Sequence, residues 1–170
     1  AANDWANTAI ATMSALGIIQ GRSDGSFDPD APITRAEFAA ICARFASGGG
    51  TGGSAFTDIS GHWAKAEIER AAALGWVRGF TDGTFRPDAK ITRAQAITMI
   101  NRILNRLPED KDDLLPGMNT WSDCRETDWY YLAIQEATNS HAFQPRDQIH
   151  ERWTALTSTP DWSRYESASV

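Results

Sequence analysis

The chain has 170 residues, of which 42% are hydrophobic and 22% charged, with a formal net charge of −6; this is globular composition, long enough for one domain or a few small units. The acidic balance and the absence of any basic run exclude a general nucleic-acid binder. No stretch approaches the ~18 consecutive apolar residues of a membrane span, and the first residues lack the charged and apolar regions of a signal peptide. The expectation is therefore a soluble segment of a longer protein, with no membrane insertion.

In chain order, residues 5–16 are expected to form the first helix, since Trp5, Ala9, Met13 and Leu16 recur at spacings of three to four behind Asp4 as N-cap. Gly17 follows, placed to end that helix in the left-handed conformation. From Gly21 to Pro29 the chain carries Gly, Asp-Gly, an aromatic and Pro, turn chemistry that leaves room for two very short strands at most. A capping box follows in Ile33-Thr34-Arg35-Ala36-Glu37, and Phe38, Ile41 and Phe45 form the stripe expected to be buried behind it. Arg35 puts a cation in the first helical turn, which costs about 0.3–1 kcal/mol at an exposed site. An anion, from the protein or from a ligand, is expected to offset it.

The same pattern returns 58 residues later. Trp5 to Phe45 align without a gap on Trp63 to Ile103, with 18 of 41 positions identical. The second copy predicts a helix over 62–74, a Gly79-to-Pro87 loop, a capping box at Thr92-Arg93-Ala94-Gln95, and a stripe of Ile97, Ile100, Leu104 and Leu107. A third, damaged copy shows Trp121-Ser122-Asp123, Trp129 and Ile134, then Phe143, Pro145 and Ile149, with a helix over 129–138. It has lost eight residues, including the Gly-x-x-Asp-Gly loop, and Ile149-His150-Glu151-Arg152 makes no capping box.

The expected organisation is a first repeat at 1–46, a Gly/Ser linker at 47–54, a second repeat at 55–107, an acidic linker at 108–118, a degenerate third repeat at 119–160, and a tail at 161–170. A helix-loop-helix unit of ~50 residues buries too little to stand alone. The fold class expected is mostly α: three such repeats in a pseudo-threefold, three-pronged arrangement, with the helices that start at Thr34 and Thr92 near a shared axis in a central bundle.

In Phe56-Thr-Asp58, His62-Trp63-Ala64, Leu74-Gly75-Trp76, Gly79-x-x-Asp82-Gly83-Thr-Phe85-x-Pro87 and Ile91-Thr-Arg93-Ala94, the chain resembles the S-layer homology family. The resemblance is strong over residues 1 to 106 and weak over 119 to 157. It implies a non-covalent anchoring module on the bacterial cell surface, part of a larger protein, that binds a secondary cell-wall polysaccharide, often one bearing pyruvate ketals, in grooves between repeats. Carried over by position, the resemblance gives Arg35 and Arg93 the role of meeting the acidic glycan. It makes Asp58 with Trp63, and Asp123 with Trp129, their helpers. The third unit has no matching Arg, since Arg152 is displaced by one position and lacks the capping Thr.

An Arg fork on a helix N-terminus suits a sugar carboxylate, and an aromatic face can cover a sugar ring. Two plainer readings stand beside this one. Arg35 and Arg93 could pair with an Asp of a neighbouring unit as inter-repeat glue, and Trp5, Trp63 and Trp129 suit a core position equally well. The Asp24-to-Asp30 loop lacks the ligand spacing of a calcium hand, so its carboxylates read as turn formers. His62, His141 and His150 do not cluster with matched carboxylates at metal spacing. No metal or cofactor is expected, and no phosphate loop, nucleophile elbow or paired glycosidase carboxylates suggest an enzyme. Cys42 reads as a small buried hydrophobe, and nothing in the spacing of Cys42 and Cys124 requires a disulfide. The alternative to a glycan-binding anchor is a structural or protein-interaction module whose glycan site has decayed.

Overall fold

The structure, a computed structural model, describes residues 6–22, 24–46 and 56–160. Asp4, Trp5, the 47–54 linker and the tail from 161 lie outside the described residues. Among the described residues the chain is mostly helical: α1 (Asn7–Ala15), α2 (Arg35–Arg44), α3 (Lys65–Ala73), α4 (Arg93–Leu104) and α5 (Tyr131–Thr138), then an antiparallel hairpin of β1 (His141–Pro145) and β2 (Glu151–Leu156). No described helix is long and apolar enough to cross a membrane.

The chain divides into two compact units, one running to Lys90 and one from Ile91 to Pro160. The division falls inside the second repeat. Each packed unit joins the second helix of one repeat to the first helix of the next, α2 with α3 and α4 with α5.

In the first unit both predicted helix ends form. The Thr34 hydroxyl accepts from the Glu37 N–H at 3.1 Å, and the Glu37 carboxylate accepts from the Thr34 N–H at 2.7 Å. Gly17 and Gly75 take left-handed φ of 71° and 73°, with the Ile18 and Trp76 N–H groups turning back to the Met13 and Ala71 carbonyls. The buried face of α2 differs from expectation. Ala36, Ala39, Ala40, Cys42 and Ala43 are buried, whereas Phe38 and Ile41 are half-buried and Phe45 is exposed. Small side chains let α2 approach α3 closely, and α3 meets it with the fully buried Ile68 and Ala71.

In the second unit the Thr92 box forms as predicted, with Gln95 as its partner. Its stripe is also rotated: Thr98, Met99 and Asn101 are buried, while Ile100 and Leu104 are exposed. Asn101 turns inward because its amide donates to the Ala133 carbonyl of α5 at 2.9 Å. The third repeat ends in a hairpin where the repeat pattern called for a second helix. Without a Thr cap, residues 151–153 alternate buried, exposed, buried, and Asp147 closes the turn by accepting from the Ile149 and His150 N–H groups. The core here gathers Leu114, Cys124, Tyr131 and Trp153. Cys42 and Cys124 are both free and buried, and burial pushes the Cys42 thiol up to about 12.

Candidate functional site

The second-repeat loop is built by its small and acidic residues. A Cβ on Gly79 would fall 2.7 Å from the Thr84 carbonyl oxygen, and one on Gly21 would fall 2.8 Å from that of Ser26, so both loops close over glycine. Asp82 accepts from the Thr84 N–H at 3.0 Å and its hydroxyl at 2.6 Å, and these bonds hold its carboxyl near 2. Asp24 does the same with Ser26, which lowers its pKa. These carboxylates spend their oxygens on turns. Asp58 has a related task, since its two oxygens accept from the Phe85 and Arg86 N–H groups at 2.8 and 2.7 Å, clamping the loop to the start of the repeat.

That loop receives Arg35. The side chain is buried, its Nε donating to the Phe85 carbonyl at 2.8 Å and its Nη2 to the Arg78 carbonyl at 3.1 Å. The guanidinium lies 4.9 Å from the Phe80 ring centre and 4.6 Å from that of Phe85. Burial, with the nearby Arg86, lowers its pKa. The first N–H groups of α2 are also occupied: Arg35 N–H meets the Ala89 carbonyl and Ala36 N–H the Pro87 carbonyl, each at 2.9 Å. The anion expected at this helix start is thus replaced by carbonyl oxygens and aromatic faces. Arg35 does join two repeats, but through backbone and rings, with no Asp.

Arg93, in the matched position, is exposed, and its side chain makes no hydrogen bond or ion pair among the described residues. One motif therefore yields a committed arginine and an open one.

Trp63 stands just ahead of α3, 62% exposed. It lines a cleft of about 490 Å³ in the first unit, whose other walls are the Ile19-to-Ile33 loop and the Glu37, Ala40, Ile41 and Arg44 face of α2. Phe27 supplies a second aromatic wall, and Arg22 and Arg44 bring cations to it. Arg22 pairs with Asp28 at 3.1 Å, and Arg44 donates one Nη1 bond to the Ile18 carbonyl. Sequence reading missed Arg22, Phe27 and Arg44 as a set. Only Phe27 and Arg44 recur in the second copy, as Phe85 and Arg102, and the turn that gathers them depends on Asp28 taking a left-handed φ of 54°.

In the second unit Trp129 is 66% exposed and meets Tyr130 edge-on at 5.3 Å. Asp123 is exposed and clamps no loop: Phe143 and Gln144, the residues matched to Phe85 and Arg86, lie in β1 instead. Arg152 is spent on Asp113 at 2.9 Å.

Two histidines depart from expectation. His141 Nε2 lies 3.0 Å from Glu151 and 3.3 Å from Glu136, and His150 Nδ1 lies 2.7 Å from Asp147, near Glu109. The hairpin assembles these groups from distant positions, which spacing along the chain does not reveal. Each cluster holds its own cation. Arg106 bridges Glu136 and Glu151 at 3.0 and 3.1 Å, and Arg146 reaches Glu109 at 3.1 Å and Asp113 at 2.8 Å.

The S-layer homology domain pattern matches residues 1–39 and 55–97. The chain is similar to a cellulosome-anchoring protein of Acetivibrio thermocellus, 36% identical over 82% of this chain and 32% of that protein. It is also similar to cell surface glycoprotein 1 of the same organism, 32% identical over 85% of this chain and 6% of that protein. A surface layer protein of Brevibacillus choshinensis is 36% identical over 58% of this chain and 9% of its own length. The chain thus spans a third or less of each of these relatives.

Proposed function

Because the chain belongs to the S-layer homology family through its first two repeats, we propose that it is a non-catalytic module of a larger extracellular protein, holding it on the bacterial cell wall by binding a secondary wall polysaccharide. The observation that carries this reading is the open cleft beside Trp63. An exposed indole gives a face for a sugar ring, and Arg22 and Arg44 can meet an acidic substituent such as a pyruvate ketal. Arg93 is the second place for a carboxylate, with its fork unengaged on a helix N-terminus. Arg35 and Asp58 act through the loop they hold. Trp129 and Asp123 form the weaker counterpart in the third repeat. The vanished third loop favours a second reading, a protein-interaction module that has kept the fold and lost the sugar.

Sedimentation of the chain with purified walls, before and after chemical removal of their non-peptidoglycan polymer, tests both. Co-sedimentation should disappear with the polymer, and Trp63→Ala should weaken it with helical content intact. Equal binding to stripped walls, or a Trp63→Ala variant that binds like the parent, overturns the glycan reading.

A further inference from the structure

The hairpin of the third repeat is fastened by a buried polar cluster that the wall-binding reading does not use. Arg106 reaches it from beyond the end of α4, Glu136 from α5, His141 from β1 and Glu151 from β2. The side chains of Glu136, His141 and Glu151 are 3, 1 and 1% exposed, so little water screens the charges there. Trp153 of β2 closes the cluster. Its ring stacks on that of His141 at 4.0 Å, and its Nε1 donates to Glu136 Oε2 at 2.7 Å.

With a neutral histidine the charges do not balance. Two ionised carboxylates would then face a single guanidinium, and an uncompensated negative charge in a dry site is costly. His141 Nδ1 lies 2.7 Å from the Asn139 carbonyl oxygen, which can only accept, so this nitrogen carries a hydrogen. Nε2 faces Glu151 Oε1 at 3.0 Å, Glu136 Oε2 at 3.3 Å and Arg106 Nη2 at 2.8 Å. Left bare, its lone pair meets two carboxylate oxygens. A hydrogen on Nε2 or on Glu136 removes that repulsion and the excess charge together. Burial, joined by Glu151, raises the Glu136 pKa against the pull of Trp153, His141 and Arg106.

We propose that Glu136, His141 and Glu151 hold a single proton in common at neutral pH, and that this proton latches the hairpin onto α5 until alkali removes it. The proton belongs to the set rather than to one side chain. Arg106 is the other charge facing it, since Arg152, next along β2, is spent on Asp113 at 2.9 Å. In the unfolded chain both carboxylates are ionised and the imidazole keeps its proton only below about 6.5. The folded cluster keeps it to higher pH. Its contribution to stability is therefore complete below about 6.5 and is lost as pH rises through the folded value.

Nuclear magnetic resonance of the intact chain at about pH 7.5, a unit above the ordinary histidine value, should show either a charged His141 ring or a neutral ring beside one neutral carboxyl. A neutral ring beside two ionised carboxylates overturns the proposal. Urea melts followed by the Ala142 and Ala155 methyl resonances read the latch itself. Between about pH 6.5 and 9 the unfolding equilibrium constant of the hairpin should rise by up to tenfold per pH unit, the slope of one proton. Glu136→Gln keeps an acceptor for Trp153 and removes the excess charge, so the rise should vanish in that variant. A parent curve without slope, or an equal slope in Glu136→Gln, overturns the latch. Should Glu136→Gln fail to fold, Glu151→Gln makes the same charge change from β2 and is held to the same two outcomes, while the resonance measurement needs no variant.

Discussion

Arg35 and Arg93 occupy the same place in the same motif, and their surroundings separate them. Arg35 is buried between two phenyl rings with two carbonyls accepting from it, so Arg35→Ala leaves both carbonyls short of a donor and the rings facing a gap. Hydrogen bonds from a charged group contribute about 1.5–3 kcal/mol each before the chain relaxes, and the loss expected is ~2–4 kcal/mol. Arg35→Lys should be almost as damaging, because an ammonium cannot reach two carbonyls while stacking flat. Arg93→Ala should leave the denaturation midpoint unchanged and lower wall binding alone. Urea melts beside wall sedimentation check the pair; equal destabilisation by both variants would contradict the difference in burial. Thr34→Ala and Thr92→Ala should each cost about 0.5–2 kcal/mol, read as shifts in the same midpoint.

The helix starts, the glycine stops and the acidic turns were all legible in the sequence, because each rests on contacts within a few residues. The Thr34 and Thr92 boxes and the Gly17 and Gly75 ends formed as local chemistry dictates. Helix faces were harder to read. Hydrophobic size pointed to Phe38, Ile41 and Phe45, but close approach to α3 selected alanines, and a partner carbonyl selected Asn101 over Ile100. The hairpin was invisible because what stabilises it is non-local: Arg106 leaves the end of α4 after the left-handed Asn105 and reaches the buried Glu136 and Glu151. Arg106→Met should therefore cost about 3–5 kcal/mol in the second unit, since two buried carboxylates lose their strongest partner. The hairpin should also be acid-sensitive. Burial pushes the Asp113 carboxyl up, but bonds from Arg152, the Glu109 N–H and Arg146 outweigh burial and hold it below its ordinary 3.8; the Ile149 N–H, then the His150 ring and the His150 N–H, bring Asp147 to about 2. Carboxyls with folded values below their unfolded ones stabilise above the unfolded value and lose that contribution as pH falls through the folded one. Stability should thus decline as pH drops from about 3.8 toward 2, and Asp147→Asn should flatten that decline in thermal melts taken across the range.

For the whole molecule, charge sets the range over which a wall polymer can be recognised. At a net charge of −6 the chain repels an acidic glycan beyond a screening length, about 10 Å at 0.1 M salt. The cleft does not reverse this, since Arg22 and Arg44 share it with Asp28 and Glu37. Affinity must then come from contact geometry, a planar fork on a carboxylate and an indole on a sugar face, with little help from the long-range field. Salt has two opposing effects under these conditions: it weakens the short contacts slightly and screens the repulsion. The dependence of wall binding on ionic strength should accordingly be shallow. Substitution by lysine discriminates further. If forks make the contact, Arg44→Lys and Arg93→Lys should bind nearly as poorly as the alanine variants, whereas a simple charge attraction would be rescued by lysine and would fade steeply with salt. Binding isotherms of these variants on intact walls, repeated on walls whose polymer has lost its acidic substituent, measure both effects. Full rescue by lysine at both positions would show that bidentate recognition is absent and would favour the interaction-module reading.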